Sequence, residues 1–261
     1  NVPESQTFKD AKCAKEFAES LLQNGHIIIK PVDSSGSKGV QKLESLKEFD
    51  EVFENALSFS VTKRVVIEEF IEKKSYQMDG DGFVWNGHLV FDCFGTQHND
   101  LECNPHAPVG ISFPYVGSKE IQQQARNLID KVMDHLNMKV GGLNIEFITD
   151  EDNNIYLLEL GPRCGGNLIP EVIRYVTDVD LIAYSVEAAL GKDCSELRQV
   201  TPKGFYSSYI LHSQKDGSVD NIYINEEIEP HIVEKNILVK KGDPVKRFNG
   251  SNDTLGTFIL T

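Results

Sequence analysis

The sequence has no apolar run of the roughly 18 to 20 residues that a membrane-spanning helix needs. Its start, NVPESQTFKD, lacks the charged-then-apolar order of a secretory leader, so a cytoplasmic protein without a membrane partner is the expectation. The five cysteines (Cys13, Cys93, Cys103, Cys164, Cys194) are odd in number and widely spaced. They form no C-x-x-C pair and no zinc-like spacing with the seven histidines, and reduced thiols are expected. Cations are scarce: 26 Lys and Arg stand against 40 Asp and Glu, a net charge of −14, with no long basic run. That balance repels a polyphosphate backbone and argues against a nucleic-acid partner. There is no internal repeat, no low-complexity segment and no Walker G-x-x-x-x-G-K-[ST] spacing. The chain begins at Asn1 with residues that already approach a helix, and a piece of a longer protein is expected.

What remains is enough for a real core: 261 residues, 40% of them hydrophobic, can fill one large domain or two. Helical spacing of Ala14, Phe17, Ala18, Leu21 and Leu22 predicts a helix over 9–22, and the β-branched run HIIIKPV predicts a strand that leads into a mobile polar loop at 33–39. A second helix is expected over 45–58 and a strand at RVVIEEFI. A strand pair over 75–94 should turn at Asn86-Gly87, a favoured two-residue hairpin signal. The stretch 95–117, with Pro105, Pro108 and Pro114, reads as a long loop. Ser118 should cap a helix running to 137. Strands GGLNIEFI and NIYLLEL follow, then a helix over 170–190. Beyond 197 short strand-like pieces (FYSSYIL, IYI, NILV, GTFIL) predict a small β-rich appendage.

The strongest chemical signal is Glu146 and Glu159 on adjacent strands. Directly opposed residues of a hairpin have numbers of constant sum, and a turn centred between Asp152 and Asn153 sets these two acids opposite each other. Opposed Cβ atoms lie about 4.5–5.5 Å apart and like charges there are destabilising, so the pair needs a cation. Magnesium, which prefers carboxylate and phosphate oxygens, is the natural one. The competing reading is an asymmetric turn that leaves one glutamate in solvent. After the second strand, GPRCGGN places Arg163 among glycines that let a backbone approach a ligand; alternatively it is a plain surface turn. Lys30 ends the strand HIIIK, and the Asp33 to Gly39 loop after it could fold its N–H groups and hydroxyls over phosphates, or be an ordinary surface turn. Glu68 and Glu69 end another strand. His98 and His106 lie in the proline-bearing stretch, where solvated histidines are the commoner case, and Cys103 and Cys164 receive no role.

In this order IIIKPVDSSGSKGV, VIEEFI, GGLNIEFI and LLELGPRCGGN resemble the ATP-grasp superfamily over about residues 1–195, and the last 60 residues are similar to the small β domain of L-amino-acid-ligase-like members. The resemblance implies an α+β fold of two lobes, 1–72 as a lid and 73–195 carrying the metal site, with nucleotide between them and a β-rich subdomain at 196–261. It implies that Lys30 contacts the ATP phosphates under a flap of Ser35, Gly36, Ser37, Lys38 and Gly39. Glu68, Glu69 and Ile71 would receive adenine, Glu146 and Glu159 would bridge Mg2+ (with Mn2+ as an alternative), and Arg163 would face the transferred phosphoryl group. Two positions depart from the family pattern: Ser75 stands where many members have a ribose-binding acid, and Gly161 where many have a metal-binding asparagine. Relatives also carry an N-terminal α/β domain before the point where this chain begins.

The activity so implied is an ATP-dependent carboxylate–amine ligase working through an acyl phosphate, with amino-acid or dipeptide ligation first among substrates and a ligase like those of purine or carbamoyl phosphate synthesis second. Its partners would be small carboxylates and amines, with a homodimer of the full-length protein left open. The alternatives are a non-catalytic ATP-binding module and a fragment inert without its N-terminal domain.

Overall fold

The computed structural model describes residues 1–261. Its first unit contains β1 (Ser5–Phe8), α1 (Ala11–Leu22), β2 (Ile27–Pro31), β3 (Gln41–Leu43), α2 (Phe49–Phe59) and β4 (Val65–Glu69). The four strands form one antiparallel sheet in the order β1-β4-β2-β3. The apolar stripes of both helices pack on it, Ala14, Ala18 and Phe53 against Ile27, Ile29 and Ile67. Asp10, not Lys9, marks the start of α1, because its carboxylate accepts the Cys13 N–H at 2.9 Å and satisfies an otherwise orphaned donor. Ser45 caps only a 3₁₀ turn over Leu46–Glu48, which delays α2 to Phe49.

The remainder comprises β5 (Met78–Trp85), β6 (His88–Asn99), β7 (Pro108–Phe113), α3 (Lys119–Leu136), β8 (Val140–Thr149), β9 (Ile155–Gly161), α4 (Ile169–Thr177), α5 (Leu181–Ala189), β10 (Tyr206–Leu211), β11 (Gly217–Ser218), β12 (Ile232–Ile237), β13 (Pro244–Val245) and β14 (Gly256–Leu260). Eight of these strands make one antiparallel sheet in the order β12-β14-β10-β7-β6-β5-β8-β9. Helix α3 covers one face over Phe94, Ile145 and Phe147. Helices α4 and α5 cover the other over Phe83, Phe91 and Ile111. Arg126 of α3 donates two hydrogen bonds, 2.7 and 2.8 Å, to the buried carboxylate of Asp92, so a charge placed inside the sheet is matched by a bidentate fork.

The Asn86-Gly87 turn has positive φ at both residues (53° and 86°), the conformation that a two-residue hairpin demands. Ser118 caps α3 as expected. Three expectations are corrected. First, 95–117 is not one long loop: β6 continues to Asn99 and β7 runs from Pro108 to Phe113, where proline is tolerated because a strand's first residue need not donate, leaving 100–107 and 114–117 outside the strands. Second, 170–190 is two helices, broken where Asp178 adopts φ 63° and Asp180 accepts the Ala183 N–H to open α5. Third, IYI forms no strand, and the β-rich tail is continuous with the large sheet, since β10 pairs with β7 and carries β14 and β12 outward. Only β11 and β13 pair apart from it.

The β8–β9 hairpin does oppose Glu146 and Glu159, by a route different from the symmetric turn. Thr149 faces Ile155, so the turn centres on Asp152, and a continuous register would set Leu158 against Glu146. A bulge at Leu158 shifts the pairing by one and brings Glu159 opposite Glu146. Bulges re-aim side chains in this way, and Leu158 itself turns into the cleft between the lobes.

Candidate functional site

A cleft of about 460 Å³ separates the two units. From the first come Lys30, the loop residues Ser34 to Lys38, and Glu68; from the second come Gln77, Gln97, Asn99, His106, Glu146 and Glu159. An adjoining recess of about 200 Å³ is lined by Glu69, Phe70, Ile71, Leu101, Ile148 and Leu158, and shares Lys30, Glu68 and Lys73 with the cleft. The Ile71 N–H at its edge, just past the end of β4, has no partner within the protein. The pair of cavities thus offers a polar chamber opening onto an apolar slot.

The acids define the polar chamber. Glu146 is half-buried and accepts one hydrogen bond, from the Gln77 amide at 2.6 Å. Burial, and then the charge of Glu159, push its carboxyl up to about 7. Cations nearby are largely engaged: Lys30 is paired with Glu68, and Arg163, held by Asn144 and the Cys164 carbonyl, reaches Glu159 only at 3.9 Å. Lys73 is held below its ordinary value by burial, with Glu146 opposing the shift. The Gln77 amide also lies 3.4 Å from the Gln97 carbonyl, and the Gln97 amide 3.4 Å from Asn99. That chain ends in a buried Asn99 Nδ2 without a partner. Two opposed carboxylates and an unsatisfied amide donor, facing a loop with free N–H groups, are the donor set that a divalent cation and an anionic ligand together would complete.

The loop over the chamber is built from left-handed residues, Gly36 (φ 65°), Ser37 (φ 57°) and Gly39 (φ 74°). Ser37 Oγ donates to the His106 carbonyl at 2.6 Å, so the loop rests on the β6–β7 connection. Ser35, Gly36, Ser37 and Lys38 line the chamber. Gly39 does not; it packs where a Cβ would stand 2.8 Å from the Phe59 ring and 3.2 Å from the Ala56 backbone. Glu68 lies in both cavities but directs its carboxylate to Lys30, while Glu69 and Ile71 line the recess. His106 reaches both cavities, its imidazole held low by burial and by Lys73, Lys30 and Lys42. His98 lies elsewhere, hydrogen-bonded to Ser112 at 2.8 Å beside Tyr76.

Arg163 stands at the margin. Its Nη1 donates to Asn144 Oδ1 at 3.1 Å and to the Cys164 carbonyl at 3.0 Å, holding the guanidinium near Glu159. Beneath the glycine turn lies a group that sequence reading missed. Asn144 Nδ2 sits 3.2 Å from Asp79 and from Asp81, and Asp81 accepts the Gly165 N–H with both oxygens at 2.8 and 2.9 Å. Burial pushes Asp81 up to about 7 and Asp79 well above the usual carboxylate range, in the latter case with help from Glu146 and Asp81. A Cβ on Gly165 would stand 2.9 Å from Asp81 Oδ1 and from Asn144 Nδ2, so only glycine fits. The Gly-rich turn is therefore bolted to β5 and β8. No sequence signal marked Gln77, Gln97 or Asn99: Gln77 lies just before β5, and alternation in β6 is hidden where both faces are buried.

A family model described as the ATP-grasp domain matches residues 23–171. An uncharacterized protein, y4rH, of Sinorhizobium fredii is 24% identical over 241 residues, covering 89% of this chain and 48% of that protein. The carbamoyl phosphate synthase large chain of a Thermoanaerobacter species is 25% identical over 201 residues, covering 76% of this chain and 18% of that protein. The L-amino acid ligase of Bacillus licheniformis superposes with a TM-score of 0.75 at 17% identity, over 100% of this chain and 62% of its own. The chain thus spans half or less of the length of these two curated relatives. No helix is long and apolar enough to cross a membrane. With the family model covering more than half its length, the chain belongs to the ATP-grasp family.

Proposed function

We propose that this chain forms the nucleotide- and metal-binding part of an ATP-dependent carboxylate–amine ligase. The observation that carries the reading is the opposed pair Glu146 and Glu159 at the floor of the cleft, short of compensating cations and covered by the Ser34–Lys38 loop. In this reading residues 1–72 are the lid, 73–195 carry the acids, and 196–261 extend the large sheet. Adenine enters the apolar recess against Ile71, whose free N–H suits a ring nitrogen. Lys30 and the loop N–H groups bind the phosphates, with Glu68 holding the Lys30 ammonium in place.

Glu146 and Glu159 would hold Mg2+, which when bound supplies charge neutralisation at the phosphates. The reaction is attack of a substrate carboxylate on the γ-phosphorus, giving ADP and an acyl phosphate, followed by displacement of phosphate by an amine. Arg163, fixed by Asn144 and the Cys164 carbonyl, presents its remaining donors to the transferred group. The lid excludes water, which would otherwise hydrolyse the intermediate.

An amino acid is the first choice of carboxylate, in keeping with the fold likeness to an L-amino acid ligase. ADP release assayed with Mg·ATP across a panel of amino acids and amines tests it. Turnover dependent on one acid and one amine is expected; ATP binding without turnover, in this chain and in an N-terminally extended one, would leave a binding module. Gly161, in place of a metal-binding asparagine, is the feature that favours that second reading.

A further inference from the structure

The β6–β7 connection carries Leu101, Pro105 and His106 into the two cavities and supports Ser37 of the overlying loop, so its own anchorage bears on the site. That anchorage is a cluster on the far side of the loop. Asp100 and Cys103, three residues apart, and His212, more than a hundred residues further along the chain, bring a carboxylate oxygen, Sγ and an imidazole nitrogen within 4.8 Å of one another. Spacing along the sequence could not reveal it.

The hydrogen bonds orient each group toward a common point. His212 Nδ1 lies 2.7 Å from the Ile210 carbonyl, an acceptor only, so Nδ1 carries a proton. Nε2 then points at Asp100 Oδ2, 3.0 Å away. A neutral imidazole with its proton on Nδ1 presents a lone pair there, and so does the carboxylate, so a cation must stand between them, either a second ring proton or a metal ion. Asp100 Oδ1 is already occupied by the N–H groups of Glu102 and Cys103 at 2.8 and 3.1 Å, which fixes the carboxylate with Oδ2 turned inward. Gln214 steadies Oδ2 at 3.2 Å. The Cys103 thiol makes only a long contact of 3.9 Å to the Ser213 carbonyl and is free to turn. Phe248, with its ring 4.9 Å from that of His212, walls the site, and the Asp100 and His212 side chains are 12% and 8% exposed.

We propose that Asp100, Cys103 and His212 form a zinc site that clips the β6–β7 loop to the end of β10. Thiolate, imidazole and carboxylate are the ligands zinc prefers, and a backbone carbonyl on the far ring nitrogen is the usual way a zinc-bound histidine is oriented. Ligand atoms on a tetrahedral zinc lie about 3.3–3.6 Å apart, so the present spread closes with a rotation of Cys103. Water completes the fourth position. The proposal does not depend on the ligase reading, and its test does not use turnover.

Zinc is titrated into the metal-free protein and read by competition with a chromogenic chelator. Cobalt is bound in parallel and read by its thiolate charge-transfer absorption in the near ultraviolet. One zinc per chain, a cobalt–thiolate band, and their loss in Cys103→Ser with retention in Cys13→Ser are expected. Gln214→Ala, which keeps all three ligands, should weaken zinc about 10- to 100-fold. Should the ligand variants misfold, the wild-type protein still decides: zinc must slow alkylation of Cys103 by iodoacetamide, mapped by peptide mass, about tenfold or more while leaving exposed Cys13 unchanged. Absence of a cobalt–thiolate band, or equal alkylation of Cys103 with and without zinc, would overturn the site and leave a protonated His212 on Asp100.

Discussion

Two acid pairs lie on neighbouring strands of this sheet, and they are treated in opposite ways. Asp79 and Asp81 on β5 are sealed beneath the glycine turn, where Asn144 Nδ2 and the Gly165 N–H supply donors. Glu146 and Glu159, on β8 and β9, open into the cleft and receive little from the protein beyond the Gln77 amide and a long 3.9 Å ion pair from Arg163 to Glu159. The first pair is satisfied internally and holds a loop. The second lacks such donors, and under the proposed function it is the pair left for an outside cation.

The largest effect should fall on the open pair. Glu159→Gln keeps the shape of the hairpin and removes a charge, and ADP release in the ligase assay should drop about 100-fold or more while nucleotide binding, followed by fluorescence, changes far less. Comparable turnover by variant and wild-type would erase the functional contrast between the pairs. Next is Gly165→Ala, whose new methyl group would press on Asp81, Asn144 and Ile169. A loss of about 1–3 kcal/mol in urea unfolding is expected, together with misplacement of Arg163.

The sealed pair should also have a pH signature. The folded Asp81 carboxyl holds its proton up to about 7, against an ordinary value of 3.8, so between those limits the unfolded chain binds fewer protons than the folded one. Stability should therefore fall as pH rises through this window, and Asp81→Asn should flatten part of the slope when melting temperature is followed against pH. An unchanged slope would mean that Asp79 and Glu146 carry it alone. The smallest effect belongs to Ser37→Ala, which removes the hydroxyl resting on the His106 carbonyl. About 1 kcal/mol of nucleotide affinity, read by calorimetry, is the most one hydrogen bond should yield.

The two pairs also differ in how far the sequence disclosed them. The opposition of Glu146 and Glu159 was expected from a symmetric turn, yet the turn centres on Asp152 and it is the bulge at Leu158, which residue types do not show, that brings them together. Lys30, the flap and the Asn86-Gly87 turn were legible through local chemistry: a strand end, a glycine-bearing loop, a two-residue turn. Asp79 and Asp81 were not: a strand was expected over MDGDGFVW, but its residue types do not show that it runs at the centre of the sheet, buried on both faces. Gly80 shows why: a Cβ there would meet the Cys93 carbonyl at 2.2 Å, so its glycine marks close strand approach. Gln97 and Asn99 were hidden for a further reason, which also made His106 read as an ordinary loop histidine. Prolines at 105, 108 and 114 made 95–117 read as loop, whereas two of them flank the strand β7.

The most direct test of the account measures ADP affinity as a function of Mg2+ in the wild-type protein and in Glu146→Gln/Glu159→Gln. The wild-type affinity should rise with Mg2+ and that of the double variant should not. Identical Mg2+ dependence in the two proteins would contradict the assignment of these carboxylates as the metal-binding pair.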